Sequence, residues 1–400
     1  MDPDNLRFVD ICCGIGGFHQ ALARLGAICV LACDTDAHCR ATYLENYGLE
    51  PVGDVGAIDL AALPEFDVLC AGFPCQPFAK CGAQQGYADA RGQVFFRVCD
   101  LARARMPAYM IMENVRNLAS HDGGNTWRVI RAAIDDLGYY TYDEPLILNV
   151  LHFNVPQNRE RVVIMCKRKD LGALPDLPVV PKHPKAALTR TVADIVDAGA
   201  GAPLPAKMAV VEDVWHAFVR LLIHHTIAMP KFPLWTDWWG RPAPPDAAAV
   251  AADAAFYAKY TGWIDKNREF YETHRSVLDP WLGAARARPL WAGAVRKFEW
   301  QAGDLRPDDG MDTVLWCARS SGVRVKRPDY TPTLVAMNTT PVFGPAHRFL
   351  TPRELLRLQS FPDTFVYNEK HIHKQVGNAV NVDMIERCAR FLVRGETLFV

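Results

Sequence analysis

Residues Phe8–Leu22 read FVDICCGIGGFHQAL, an apolar run that breaks into glycines and resumes as a helical pattern. The run Phe8–Cys13 predicts a buried strand, Gly14, Gly16 and Gly17 a tight turn, and Phe18 the start of a helix. Glycines at such a junction let a ligand approach the backbone beside a helix amino terminus. A turn used only for tight packing is the competing reading. No Gly-Lys-Ser/Thr follows, which argues against a nucleotide phosphate loop.

Outward from this turn, short apolar runs alternate with helical patterns through the first 170 residues. Leu6–Cys13, Ala27–Asp34, Phe66–Phe73, Ala108–Val115 and Arg161–Arg168 read as strands. Trp127, Ile130, Ile134 and Leu137 recur at helical spacing before Gly138, a stop signal. The alternation predicts an α/β fold with a doubly wound, mostly parallel, Rossmann-like sheet, whose ligands sit outside the carboxyl ends of the strands. Beyond Asp170, LPDLPVVPKHPK carries four prolines and the rhythm stops. The predicted organisation is a first domain over 1–170, a smaller, irregular second domain over 171–346, and a return segment over 347–400 whose C-terminal helix packs on the first domain. Ala209–His224, Pro352–Leu358 and Val380–Val393 read as helices, while KFPLWTDWWGRPAPP has no clear period.

Half of the 400 residues are apolar, enough for a substantial core, and the net charge of −1 neither selects nor excludes nucleic acid. The longest apolar stretch, Ala209–Met229, is broken by Glu212, Asp213 and Arg220, and no signal pattern precedes it. A soluble, intracellular protein without membrane contact is the expectation. Ten of the 12 cysteines precede residue 167, in or beside apolar runs, which is the pattern of reduced thiols. No Cys-x-x-Cys pair occurs, so no metal site is expected.

Chemistry-bearing residues cluster at the strand ends. Asp34 in LACDTD and Asp54 in VGDV are placed to accept hydrogen bonds from an adenosine ribose or base, with a helix cap or turn as the alternative for each. Cys75 in AGFPCQPFAKCG is stiffened by Pro74 and Pro77, which suits a nucleophile that attacks one atom in one direction. Glu113 and Asn114 in MIMENVRNL reach the same edge, where a buried carboxyl serves as an acid. Arg159 and Arg161 in VPQNRERVVIM share one face, although such pairs are also common as salt-bridged edges.

The ordered strings DICCGIGGF, GFPCQPF, MENVRNL, QNRERV, RFLTPRELLRLQSFPDTF and QVGNAV resemble the DNA (cytosine-5) methyltransferases over about Phe8–Cys166 and His347–Ile385. The resemblance implies transfer of a methyl group from S-adenosyl-L-methionine to C5 of a cytosine in double-stranded DNA, leaving S-adenosyl-L-homocysteine. It assigns Cys75 to attack on C6 of a flipped-out base, Glu113 to N3, Arg161 to O2, and Arg159 to the same supporting cluster. For the cofactor it assigns Asp10, Cys12, Gly14, Gly16, Gly17, Asp34, Thr35, Asp54, Val55, Asn378 and Val380. Cys12 stands where the family usually has phenylalanine and Thr35 where a bulky ring is common, a loss of stacking of about 1 kcal/mol. Residues 76–92 match a loop that closes over the base, with Cys81 a bystander. Residues 171–346 match a target-recognition domain, in which Arg319, Arg324, Lys326 and Arg327, followed by Arg348 and Arg353, are expected to neutralise phosphates. Gln76, Arg91 and Thr333 complete the expected DNA contacts, and a monomer is the default. One branch of the family methylates tRNA, but its usual Cys-Phe-Thr string is absent. A silent relative would be expected to lack Cys75 or Glu113, and a cofactor-binding oxidoreductase leaves both unexplained.

Overall fold

The computed structural model describes residues 5–74, 93–240, 254–337 and 339–399. It divides into two compact units, Met1–Ile195 with Pro332–Asn338 and Pro352–Val400, and Val196–Thr331 with Thr339–Thr351.

In the first unit Phe8, Val9 and Ile11 are fully buried, so Arg7–Ile11 forms a strand, β1, without a solvated face. Ile28–Cys33 (β2), Val68–Ala71 (β3) and Tyr109–Val115 (β4) join it in the order β2-β1-β3-β4, all parallel. Gly17–Ala23 (α1), Ala37–Tyr47 (α2) and Gln93–Arg105 (α3) lie between these strands in the chain. Asn125–Asp136 (α4) buries Trp127, Ile130 and Ile134, and the chain turns at Gly138 with φ +84°, where glycine is unstrained. The strand order reverses at β1, which makes its carboxyl end the topological switch point.

The expected doubly wound α/β sheet is therefore present, but it is mixed. After Tyr139–Tyr140 (β5), Leu146–Asn149 (β6) and Gln157–Asn158 (β7), strand Glu160–Arg168 (β8) runs antiparallel to β4, and β5 and β6 run antiparallel to β8. The segment between β6 and β8 is too short for a crossover helix, so the two strands must pair antiparallel. This reversal has a functional consequence. Arg161, near the amino end of β8, sits opposite Val115 at the carboxyl end of β4, and so reaches the edge where β1–β4 end.

In the second unit Ala206–His224 (α5), Ala254–Thr273 (α6) and Arg275–Ala287 (α7) accompany a six-stranded sheet. Its core is aromatic. Trp215 stacks on Phe298 with centroids 4.2 Å apart and planes within 16°, and Trp281 and Trp291 pack around it. The indole N–H groups of Trp215 and Trp281 donate to the carbonyls of Val295 and Val214, satisfying the polar edge of each buried ring. Trp239 is fully buried just after a single helical turn, which explains why its stretch shows no period.

Pro352–Leu358 (α8), Ile372–Asn378 (α9) and Val382–Arg394 (α10) complete the first unit. Asn381 caps α10 by accepting from the Met384 N–H at 3.0 Å, and Arg24 beyond α1 pairs with Asp383 at 2.8 Å and Glu386 at 3.1 Å. Among the described residues no helix is long and apolar enough to cross a membrane.

Candidate active site

The glycines after β1 divide their work. A Cβ on Gly16 would lie 2.2 Å from the Tyr47 ring, and one on Gly17 would lie 2.6 Å from Val380 Cγ2 and 2.7 Å from the Val380 carbonyl oxygen. Both glycines are needed for packing. A Cβ on Gly14, by contrast, meets nothing within 4 Å among the described residues, so here the backbone faces open space. Packing and ligand access are both served, at different glycines. Cys12 takes φ 55°, a left-handed conformation uncommon outside glycine, to start the turn.

Asp34, just past β2, ties this turn to the sheet. Its carboxylate accepts from the Gly14 N–H and the Asp36 N–H, both at 2.8 Å, and each oxygen keeps a lone pair for a further donor. Burial raises its pKa, against the opposing pull of these two N–H groups. Beside β2, Val52 forms a parallel bridge with Cys33, and Asp54 follows, exposed, capping a single turn at Val55–Ala57 through the Gly56 N–H. Val55 is buried, Thr35 is exposed, and Asn378 is exposed at the end of α9.

Asp10, just before the glycine turn, is fully buried, with the His19 N–H and the Tyr43 hydroxyl as the groups that favour its charged form. Burial and the charge of Asp34 push its pKa well above the carboxylate range. An open glycine turn beside Asp34, each of whose oxygens keeps a lone pair at the end of the neighbouring strand, fits an adenosine-bearing ligand. Burial and nearby acids push the Cys12 and Cys13 thiols up as well, which makes them inert.

At the β4 edge, Glu113 and Arg161 form an ion pair with Nε to Oε1 at 2.8 Å, their side chains 9% and 11% exposed. Asn114 donates from Nδ2 to the Phe73 carbonyl at 2.8 Å, which ties the chain two residues before Cys75 to the end of β4. Cys75, Gln76, Cys81, Arg91 and the loop 76–92 lie outside the described residues.

Arg159 does not share this exposure. It is buried and donates to the carbonyls of Leu334 (2.9 Å), Gly377 (3.2 Å) and Ala379 (2.8 Å). Burial, and secondarily the neighbouring Arg161 charge, pushes its pKa down to about 9, so it remains a cation at neutral pH. Assigned by the resemblance to the cluster that supports Arg161, it holds Leu334 and, in the return segment, Gly377 and Ala379. Gln157, fully buried, donates to the Leu358 carbonyl and accepts from the Leu334 N–H. Gln359 donates to the Val376 carbonyl at 2.8 Å. Sequence reasoning passed over both glutamines. Both lie in polar stretches of sequence, so nothing local marked them as buried; once buried, their amides need partners. Thr333 donates to the Asn158 carbonyl at 2.6 Å and so has a local partner of its own.

In the second unit the basic residues separate into two groups. Arg324 lies on the sheet beside Glu299 at 3.0 Å, and Lys326 lies over the Tyr330 ring. Both are half-exposed. Arg327 corrects the expectation of a phosphate contact: its guanidinium is paired with the buried Asp309 and donates to the Ala302 and Asp304 carbonyls. Arg348 likewise donates to the Asp197 carbonyl, and in the first unit Arg353 donates to those of Pro362 and Phe365. These three arginines hold main-chain turns. Among the described residues no His, Cys, Asp and Glu group could hold a metal ion.

A family model described as C-5 cytosine-specific DNA methylase matches residues 6–227 and 283–394. The Type II methyltransferase M.AluI of Cellulosimicrobium cellulans is 30% identical, over 97% of this chain and 92% of its own. The Type II methyltransferase M.HpaII of Haemophilus parainfluenzae is 29% identical, over 96% of this chain and 88% of its own. In fold, the chain is similar to the crystal structure of the S. pombe Dnmt2 methyltransferase, with a TM-score of 0.52 at 17% identity over 98% of this chain and 99% of that one.

Proposed function

The chain belongs to the C-5 cytosine-specific DNA methylase family and is a DNA (cytosine-5) methyltransferase, and from that premise we propose that it methylates C5 of a cytosine flipped out of a specific double-stranded sequence, using S-adenosyl-L-methionine. The cofactor supplies an activated methyl group carried on a sulfonium.

In this reading the Cys75 sulfur bonds to C6 of the extruded base, which makes C5 nucleophilic. Once C5 is methylated, its proton leaves and the sulfur–C6 bond breaks, freeing the enzyme. Glu113 holds N3 and Arg161 holds O2, while their mutual pairing keeps each pointed at the base. Asn114 supports the turn that carries Cys75. Asp10, Asp34, Asp54 and the open backbone at Gly14 would hold the cofactor, with Val55, Asn378 and Val380 beside it. Flipping costs about a few kcal/mol of lost stacking and pairing, met by contacts to the extruded base. The second unit reads the target, with Arg324 and Lys326 on phosphates. The protein acts inside the cell as a monomer, as the modifying half of a restriction-modification pair.

One observation carries this reading: a nearly buried Glu113–Arg161 pair at the strand edge to which Asn114 ties the Phe73 carbonyl. Duplex oligonucleotides with 5-fluorocytosine at the target are expected to trap a covalent complex with the wild type and with Cys81→Ala, and none with Cys75→Ala. Trapping that survives Cys75→Ala would refute the assignment. Base-resolution mapping of methylcytosine in cells expressing the protein gives the target sequence.

A further inference from the structure

Asp34 and Asp54 end two chain segments that run side by side, and Arg40 binds the first of them beside the second. The segments are joined by the Cys33–Val52 bridge and by the Asp34 N–H donating to the Val52 carbonyl at 3.0 Å. Arg40, in the first turn of α2, donates from Nη1 to the carbonyls of Asp34 at 2.9 Å and Thr35 at 3.0 Å. A Cβ on Gly53 would lie 3.7 Å from the same Nη1 and 3.8 Å from Cζ, ordinary van der Waals contact. The guanidinium thus holds the corner after β2 by two hydrogen bonds and lies near Gly53, on the turn before Asp54.

We propose that Arg40 is a positioning residue of the cofactor site, clamping the Asp34–Thr35 corner against Gly53 so that the Asp34 and Asp54 carboxylates stand at the spacing an adenosine-bearing ligand requires. The inference rests on the cofactor reading above. Thr35 brings no ring to this corner, so placement of its polar groups carries more of the recognition. Charge adds a second effect. Asp34 is faced by Asp10 from β1, by Asp36 and Arg40 from α2 and its cap, by Lys374 from α9, and by the thiols of Cys12, Cys13, Cys33 and Cys39. Lys374 is bound to Asp36 at 2.8 Å, while Arg40 is hydrogen-bonded to the Asp34 corner itself. Burial already raises the Asp34 pKa; removing Arg40 raises it further, so the carboxylate is lost at a higher pH.

Calorimetric titration of S-adenosyl-L-homocysteine into the full chain tests this without requiring turnover. Arg40→Met is expected to bind about tenfold more weakly, the loss of roughly one net hydrogen bond to a charged donor. Its affinity should also fall off at a higher pH than that of the wild type, and Arg40→Lys should recover part of both effects. Wild-type affinity and pH profile in Arg40→Met would overturn the inference, as would an equal loss in Arg40→Met and Arg40→Lys with no change of profile. Should Arg40→Met fail to fold, Arg40→Lys and Arg40→Gln are read by the same criteria. If the wild type itself takes up no ligand, or Asp34→Asn binds normally, the cofactor reading fails with it; if Asp34→Asn weakens binding and the Arg40 variants do not, the inference alone fails.

Discussion

Replacing Arg159 by methionine separates a residue that touches the base from one that holds the scaffold. The guanidinium donates to three carbonyls, of Leu334, Gly377 and Ala379, in blocks far apart in sequence. Methionine keeps an unbranched stem of similar length but no donor. The Ala379 carbonyl keeps the Gln359 amide at 3.2 Å, but those of Leu334 and Gly377 lose this donor, at about 1–3 kcal/mol each. Relief from burying a cation, whose pKa is already down to about 9, offsets part of that sum. A net loss of about 3 kcal/mol is expected, and for a unit of this size roughly 2–4 °C of melting temperature accompany each kcal/mol. The first unit should therefore melt about 6–12 °C lower. Hydrogen exchange should accelerate at Leu334–Ala336 and Gly377–Ala379. Arg159→Lys should recover part of the loss, because one ammonium cannot reproduce the planar fork that reaches three acceptors. A variant with unchanged melting and exchange that nonetheless loses methyl transfer would refute this argument, and would give Arg159 a part in the reaction itself.

Other perturbations follow from the same geometry. Gly17→Ala forces a Cβ to within 2.7 Å of the Val380 carbonyl oxygen, a backbone atom no rotamer change can move, so stability should drop by about 1–3 kcal/mol and S-adenosyl-L-homocysteine affinity should fall. Gly17→Ala combined with Val380→Ala should not restore either, and full recovery in calorimetry would show that only the valine side chain was in the way. Arg324→Met should lower the slope of DNA affinity against salt by about one unit, whereas Arg327→Met should leave that slope unchanged and destabilise the second unit by about 3 kcal/mol, since it strands the buried Asp309. The reverse assignment in a salt titration would restore Arg327 to the DNA contacts. The Asp309 pKa is lowered in the fold: burial raises it, and Arg327 together with the Arg306 N–H overcomes that effect. Its stabilisation is therefore fully present above the ordinary aspartate value of about 3.9 and drains away as pH falls below it. Acid unfolding that is identical in wild type and Arg327→Met would contradict this.

Local pattern made the glycine turn, the strand ends and the α4 period legible before any coordinates, because a buried parallel strand and an amphipathic helix each impose a period on their own residues. It also brought Asp34, Glu113 and Arg161 forward, since residue type at a strand end is readable from one stretch at a time. The mixed sheet was less accessible. The direction of β8 depends on the short link from β6, and only that reversal carries Arg161 to the edge where Glu113 sits.

Sequence alone determined which residue types stand at the strand ends and that the family's six blocks occur in order. Tertiary structure decided what each polar group does there. Arg159 and Arg161, two residues apart, look alike in QNRERV, yet one lies against the carbonyls of Leu334, Gly377 and Ala379 and the other against a carboxylate. Arg324 and Arg327 divide in the same way between an exposed sheet face and a buried aspartate. The physical reason is that an arginine's role is set by the acceptors it meets and by how far it is withdrawn from water. Both depend on chain segments 18 to 220 residues away, which no local pattern encodes.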